Sequence, residues 1–157
     1  MTYCAICDGP LFSGQKVAVI GGGNSALEAA DDMVKIAQHV YLVSLTSVTG
    51  DQILIEKVKD ALNLTLFLEH EVLEIEGPNS VEAILIRDLK SGEEKRLFVG
   101  GIFIEIGLLP NSKFTGGIAR LNKFGEISEA GLPGLFAAGN VNNVVETNVT
   151  DKGYIPT

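Results

Sequence analysis

The sequence predicts a three-layer α/β fold in which a parallel sheet is finished by an antiparallel β-meander where a last crossover helix would stand. Three observations carry that prediction. A short run of β-branched character, Lys16-Val17-Ala18-Val19-Ile20, stops at three glycines and is followed by a helix-periodic segment. The strand-helix alternation then repeats, which implies parallel pairing because each helical crossover brings the chain back to start the next strand in the same direction. Finally, three strand-like runs follow one another with only turn signals between them, the mark of antiparallel hairpins.

In chain order, residues 16–20 are predicted as a buried strand, since apolar side chains occupy both faces instead of alternating. In the helix that follows, Asn24 and Ser25 supply capping-type side chains and Ala26, Leu27, Ala29, Ala30 and Met33 a packing face, with residues 37–39 closing the segment. Residues 40–43 begin a second strand and complete a βαβ unit. Over residues 51–62, Ile53, Leu54, Val58, Ala61 and Leu62 are assigned to the buried side of a second helix, and Glu56, Lys57, Lys59 and Asp60 to water. Residues 64–68 form the third strand. Runs around 72–76, 81–88 and 94–99, separated by Gly77-Pro78-Asn79 and Ser91-Gly92, form the meander. Residues 101–106 return to a buried-strand composition, so the whole is Rossmann-like. After Gly107 the chain turns to Gly, Pro and Asn, with one short apolar run at residues 135–138, and is expected to be a partial second unit.

A chain of 157 residues with 46% hydrophobic content can build a sizeable core. Its net charge of −8, from 12 Lys and Arg against 20 Asp and Glu, sets nucleic acid and anionic membranes aside as partners. No stretch approaches the ~20 apolar residues of a bilayer span and no signal core opens the chain, so a cytoplasmic location is expected. The only two cysteines, Cys4 and Cys7, are three apart, and such a pair in a reducing compartment does chemistry or binds metal. Zinc would require two more ligands. His39 and His70, the only histidines, have no finger-like spacing and fall at strand starts, where surface or interface roles are expected; no metal is expected.

The glycine run Gly21-Gly22-Gly23-Asn24-Ser25-Ala26 lies between strand and helix, which is the context that gives a G-x-G-x-x-A pattern meaning. Gly21 permits the tight turn, Gly23 lets backbone approach a pyrophosphate, and Ala26 is the small residue where helix packs on strand. The helix amides then face the phosphates. At the end of the second strand, where an acidic residue would bind a ribose 2′-hydroxyl or an arginine a 2′-phosphate, the chain has Ser44. Thr46, Ser47 and Thr49 follow, Asp51 is the nearest acid, and no Lys or Arg occurs between Lys35 and Lys57, which favours NAD(H) over NADP(H). The pair Cys4 and Cys7 can cycle between dithiol and disulfide, and Asp8 beside it can take up the proton that thiolate formation releases. The competing readings are a pair of buried structural thiols and an Asp8 that only shapes the turn before Gly9-Pro10. Together the two motifs imply dithiol redox chemistry coupled to a dinucleotide.

Residues 3–12 (Tyr-Cys-Ala-Ile-Cys-Asp-Gly-Pro-Leu-Phe), 17–30, 50–54 (Gly-Asp-Gln-Ile-Leu) and 101–111 (Gly-Ile-Phe-Ile-Glu-Ile-Gly-Leu-Leu-Pro-Asn) resemble the thioredoxin reductase family of pyridine nucleotide-disulfide oxidoreductases, most closely its alkyl hydroperoxide reductase flavoprotein branch. The resemblance implies a Rossmann-like FAD/NAD(P)-binding fold and electrons passing from a nicotinamide to FAD, then to the Cys4–Cys7 disulfide, then to a thioredoxin-like or peroxiredoxin-type protein disulfide. It implies that Cys7 faces the flavin, that Cys4 attacks the partner, and that Asp8 is the acid–base group. Gly107, Gly139 and Asn140 would lie on the cofactor side. Residues 134–140 (Gly-Leu-Phe-Ala-Ala-Gly-Asn) are similar to the family's flavin motif, with Asn140 where an Asp is usual.

On that template residues 1–13 are the redox segment, 14–108 the NAD(P)-binding domain and 109–157 a remnant of the FAD-binding domain. The family's separate FAD-binding half has no counterpart before Cys4, so the chain is expected to be a fragment or reduced relative that does not retain FAD alone. A separate FAD-binding half and a second copy of the chain are admitted as partners. The alternative is a non-catalytic nucleotide-binding or partner-docking module, which the Ser44 and Asn140 departures favour.

Overall fold

The computed structural model describes residues 1–107. The chain divides into two units, Met1–Ile106 and Gly107–Thr157, and the account below concerns the first. A short helix α1 (Ala5–Asp8) and a 3-10 turn (Gly9–Phe12) precede strand β1 (Lys16–Ile20), helix α2 (Asn24–Met33), strand β2 (His39–Ser44), helix α3 (Gln52–Asp60) and strand β3 (Leu64–Leu68). Strands β4 (His70–Glu76), β5 (Ala83–Asp88) and β6 (Glu94–Phe98) form the meander, and β7 (Gly101–Ile104) completes the unit.

The parallel sheet has the order β3-β2-β1-β7, and β4-β5-β6 form a separate antiparallel sheet. Val17 to Ile20 pair with Val40 to Val43 on one side and with Gly101 to Ile104 on the other. The sheet therefore grows in opposite directions from β1, and the crevice between β1 and β7 is the topological switch point. Glu69, at φ 57°, turns the chain from β3 into the second sheet. The glycines of the two hairpins, Gly77 at φ 140° and Gly92 at φ 74°, take backbone conformations that side chains disfavour.

Strand alternation sorts the core into two clusters. Val17, Val19, Val40, Leu42 and Phe103 pack against Ala26, Leu27, Ala30 and Met33 of α2 and Val58 of α3. Ala18, Val43 and Ile102 face the other way, onto Ile84, Ile86, Leu97 and Val99. Helices, parallel sheet and meander are thus three layers, with the meander covering the face a crossover helix would otherwise cover. Cross-strand partners Glu71 and Arg87 form an ion pair on the meander, a surface contact of small energetic weight.

Several sequence expectations change. Helix α2 ends at Met33, and turns occupy the next residues before β2 starts at His39. Ile53 and Leu62 are exposed, whereas Val58 is buried and Leu54 partly covered as expected, joined by Ile55. The reason is helical phase: Ile53 shares a face with Glu56 and Lys57, and the helix stops at Asp60 because Ala61 leaves it at ψ 120°, so Leu62 no longer belongs to its pattern. The last strand stops at Ile104, with Glu105 and Ile106 beyond it.

Candidate functional site

The glycine run sits at the carboxyl ends of β1 and β2, beside the switch point. Gly21 has φ 144°, and a Cβ there would stand 2.2 Å from the Glu105 carbonyl oxygen. Its N–H donates to the Val43 carbonyl at 2.9 Å, while Glu105 N–H donates to Ile20 at 2.8 Å, so the turn is held from both neighbouring strands. Gly23 is the N-cap of α2, and the first helical bond runs from Leu27 N–H to the Gly23 carbonyl at 3.1 Å. The N–H groups of Asn24, Ser25 and Ala26 therefore have no partner inside the helix and face outward from its positive end. Asn24 and Ser25 are exposed there, while Ala26 is buried against the sheet. This arrangement fits a pyrophosphate, because the donors are supplied by the backbone at the helix start.

Asn24 does not cap the helix, contrary to the sequence expectation. It is the first helical residue, and its amide oxygen accepts the Asp51 N–H at 2.7 Å, tying the segment that opens α3 to the glycine turn. Gly50 is required for that approach, because a Cβ would meet Leu27 at 2.4 Å and Asn24 at 2.6 Å. Ser44 is buried at the end of β2, and a Cβ on Gly22 would stand 2.3 Å from its hydroxyl oxygen. Thr46, Ser47, Thr49 and Asp51 are exposed on the loop beyond.

Cys4 and Cys7 form a disulfide across α1. Cys4 is the N-cap of this helix and half-buried, while Cys7 is exposed. Cys7 N–H donates to Cys4 Sγ at 3.1 Å, and Asp8 N–H donates to the Cys4 carbonyl at 3.1 Å. Asp8 ends α1, and its carboxylate accepts from the Thr2 hydroxyl. Thr2 pairs in parallel with Phe103, so the chain leaving it heads toward the edge of the sheet that carries the glycine turn. Farther on, Gly9 lies against α2, where a Cβ would approach Met33 to 3.1 Å, and Phe12 packs edge-on to Phe103 at 5.4 Å.

Neither histidine takes part in the site. His39 bonds Thr65 through Nε2 at 2.9 Å and lies against the Tyr41 ring, and burial, followed by the charge of Lys16, lowers its pKa. His70 bonds the Leu68 carbonyl through Nδ1 at 2.7 Å. Among the described residues no cluster of metal-ligating side chains occurs, and no helix is long and apolar enough to cross a membrane. Sequence reasoning missed Thr2, Gly50 and Glu105. Burial, and after it the charge of Glu28, pushes the Glu105 carboxyl above its usual range. Gly107 has φ 105°, and Gly139 and Asn140 lie outside the described residues.

A family profile described as pyridine nucleotide-disulphide oxidoreductase matches residues 5–152. The chain belongs to this family. Among curated pyridine nucleotide-disulphide oxidoreductase relatives, an alkyl hydroperoxide reductase component of Escherichia coli is 41% identical over 92% of this chain. An NADH dehydrogenase of Bacillus subtilis is 40% identical over 89% of it. The chain spans 29% of the length of each of these relatives. Of solved structures, the thioredoxin reductase of Lactococcus lactis superposes with a TM-score of 0.81 at 29% identity, covering 90% of this chain and 49% of that one. The T. acidophilum thioredoxin reductase superposes at 0.79 and 32% identity, covering 89% and 48%.

Proposed function

We propose that this chain is the nucleotide-binding and dithiol-bearing part of a flavin-dependent disulfide oxidoreductase that passes electrons from NAD(P)H to the Cys4–Cys7 disulfide and then to a disulfide of a partner protein. One observation carries the reading. The disulfide and the glycine turn belong to one compact unit, with the dithiol segment paired onto β7 and the turn leading out of its neighbour β1. The names of the relatives and the similar structures support a thioredoxin-like or peroxiredoxin-type target. The intact pair Cys4 and Cys7 weighs against a purely docking or nucleotide-holding module.

In this reading residues 14–108 form the nucleotide domain and 109–157 belong to an FAD domain whose pyrophosphate site is supplied from outside these 157 residues. Asn24, Ser25 and Ala26 N–H groups receive the nucleotide pyrophosphate, with Gly21 and Gly22 seating the turn against Glu105 and Ser44 and Gly23 opening the helix. Ser44 stands near the adenosine ribose. NAD(H) is preferred over NADP(H), since no Lys or Arg occurs between Lys35 and Lys57 to meet a 2′-phosphate. When bound, the flavin supplies the two-electron relay between nicotinamide and sulfur. The resemblance in sequence assigns Gly107, Gly139 and Asn140 to its site. Cys7 would be the cysteine on the flavin side and Cys4 the one that attacks the partner disulfide, while Asp8 would hold the proton released as the thiolate forms. The setting is cytoplasmic, where a reducing pool keeps such a pair in use.

Three measurements on the purified chain test this reading. Calorimetric titration should show NADH binding more tightly than NADPH. Alkylation mass shifts across glutathione buffers of graded potential should show Cys4 and Cys7 interconverting at one midpoint. The chain alone should be colourless between about 350 and 500 nm, where bound flavin absorbs. Failure to bind either nucleotide, with the cysteines locked in one redox state, would overturn the proposal and favour the non-catalytic module.

A further inference from the structure

We propose that Thr2 is a positioning residue for the dithiol, its hydroxyl holding the Asp8 carboxylate in place to accept the proton of the resolving thiol. The inference rests on the reading of Asp8 as the acid–base group. Thr2 and Ser44 are the buried polar residues among those described. The Thr2 backbone is stitched onto β7 from both sides: its N–H donates to Ile102 at 2.9 Å, and its carbonyl accepts from Ile104 N–H at 2.9 Å. From that fixed point the hydroxyl donates to Asp8 Oδ2 and accepts the Cys4 N–H at 3.4 Å. One side chain therefore reaches both ends of the cysteine-bearing turn.

The need for such a clamp follows from the size of α1. Four residues make barely one turn, which has no stability of its own, and Asp8 is its last residue. Among the described residues Thr2 is the only side chain that donates to the Asp8 carboxylate. A β-branched residue within sheet pairing has little rotamer freedom, so its hydroxyl offers a rigid donor. Truncating it would leave the carboxylate without that anchor.

The chemistry can be followed with glutathione disulfide as the probe. In the reduced chain one cysteine thiolate attacks a glutathione sulfur, forms a mixed disulfide and expels the first glutathione thiolate. The second cysteine then gives its proton to Asp8, attacks the mixed disulfide, re-forms the Cys4–Cys7 bond and expels the second glutathione thiolate, which takes up the proton. The dithiol loses two electrons and the glutathione disulfide gains them.

The experiment is acid quenching of this reaction on the full chain, with the lifetime of the mixed disulfide read by mass spectrometry. Asp8→Asn should lengthen that lifetime by about ten-fold or more, the lower end of what a positioned acid–base group contributes. Thr2→Val, and Thr2→Ala as a second variant without the hydroxyl, should lengthen it about five-fold, the worth of one hydrogen bond. Thr2→Ser should resolve at the wild-type rate. Adding Thr2→Val to Asp8→Asn should change nothing further, and circular dichroism should show all variants equally folded. Wild-type resolution in Thr2→Val beside slow resolution in Asp8→Asn overturns the role of Thr2 and leaves the acid–base reading standing. Wild-type resolution in Asp8→Asn overturns both. An equal slowing by Thr2→Val with and without Asp8→Asn shows that the hydroxyl acts through the fold alone, and overturns the clamp.

Discussion

Replacing Gly22 by alanine probes how the glycine turn is seated on the second strand. The new methyl would stand 2.3 Å from the Ser44 hydroxyl oxygen and 3.2 Å from the Ser44 Cβ. Ser44 is 4% exposed, so its side chain has little free space to swing into. Forcing a methyl into a filled position costs about 1–3 kcal/mol, and so short a contact with an oxygen suggests about 2 kcal/mol. Ser44→Ala removes the atom at 2.3 Å and leaves the 3.2 Å contact, which a shift of a few tenths of an ångström relieves. By itself Ser44→Ala gives up a long contact from Thr46 N–H at 3.4 Å, worth about 0.5 kcal/mol or less. The double variant should therefore be about 1 kcal/mol more stable than the sum of the single effects, a coupling of the size expected for touching side chains. Urea unfolding followed by circular dichroism measures it, provided the slope with urea is the same in all four proteins. Strict additivity would refute the packing of Gly22 on Ser44.

Gly21→Ala should cost about 3 kcal/mol and gain nothing from Ser44→Ala, because its neighbour is the Glu105 backbone and its φ of 144° disfavours any side chain; denaturant midpoints decide it. Glu105 carries a pH signature. Since burial and the Glu28 charge raise its pKa, the folded chain holds this proton more tightly than the unfolded one, and Glu105 stabilises below the unfolded value of about 4.3. That stability is lost as pH rises through the folded value, so Glu105→Gln should flatten the fall in melting temperature above pH ~4, and an unchanged slope would contradict the account. Met33→Ala should cost about 2–4 kcal/mol and speed proteolysis within residues 1–13, because Met33 is fully buried and lies against Gly9. Equal proteolysis rates would show that the dithiol segment does not depend on this contact.

What the sequence determines by itself is whatever a few consecutive residues settle through their own geometry. The β-branched run before Gly21 makes β1, since apolar residues on both faces suit only a strand covered on both sides. Ala26, Leu27, Ala29, Ala30 and Met33, all five buried, follow from helical periodicity alone. The three-residue offset of Cys4 and Cys7 brings the sulfurs within one turn whatever surrounds them. The tertiary structure decides what depends on contacts distant in sequence. Nothing local indicates that β7 pairs with β1, yet this creates the switch point and brings Glu105 onto the glycine turn. Asn24 has the chemistry of a cap but binds Asp51, because the loop from β2 returns across the start of α2. Ile53 falls on the helix face of Glu56 and Lys57, and Leu62 lies past the helix end at Asp60, so neither meets the core. Thr2 is one hydroxyl among many until the pairing with Phe103 buries it beside Asp8. Periodicity records which side of an element is apolar, whereas strand order and the placing of single polar groups depend on which distant surface that side meets.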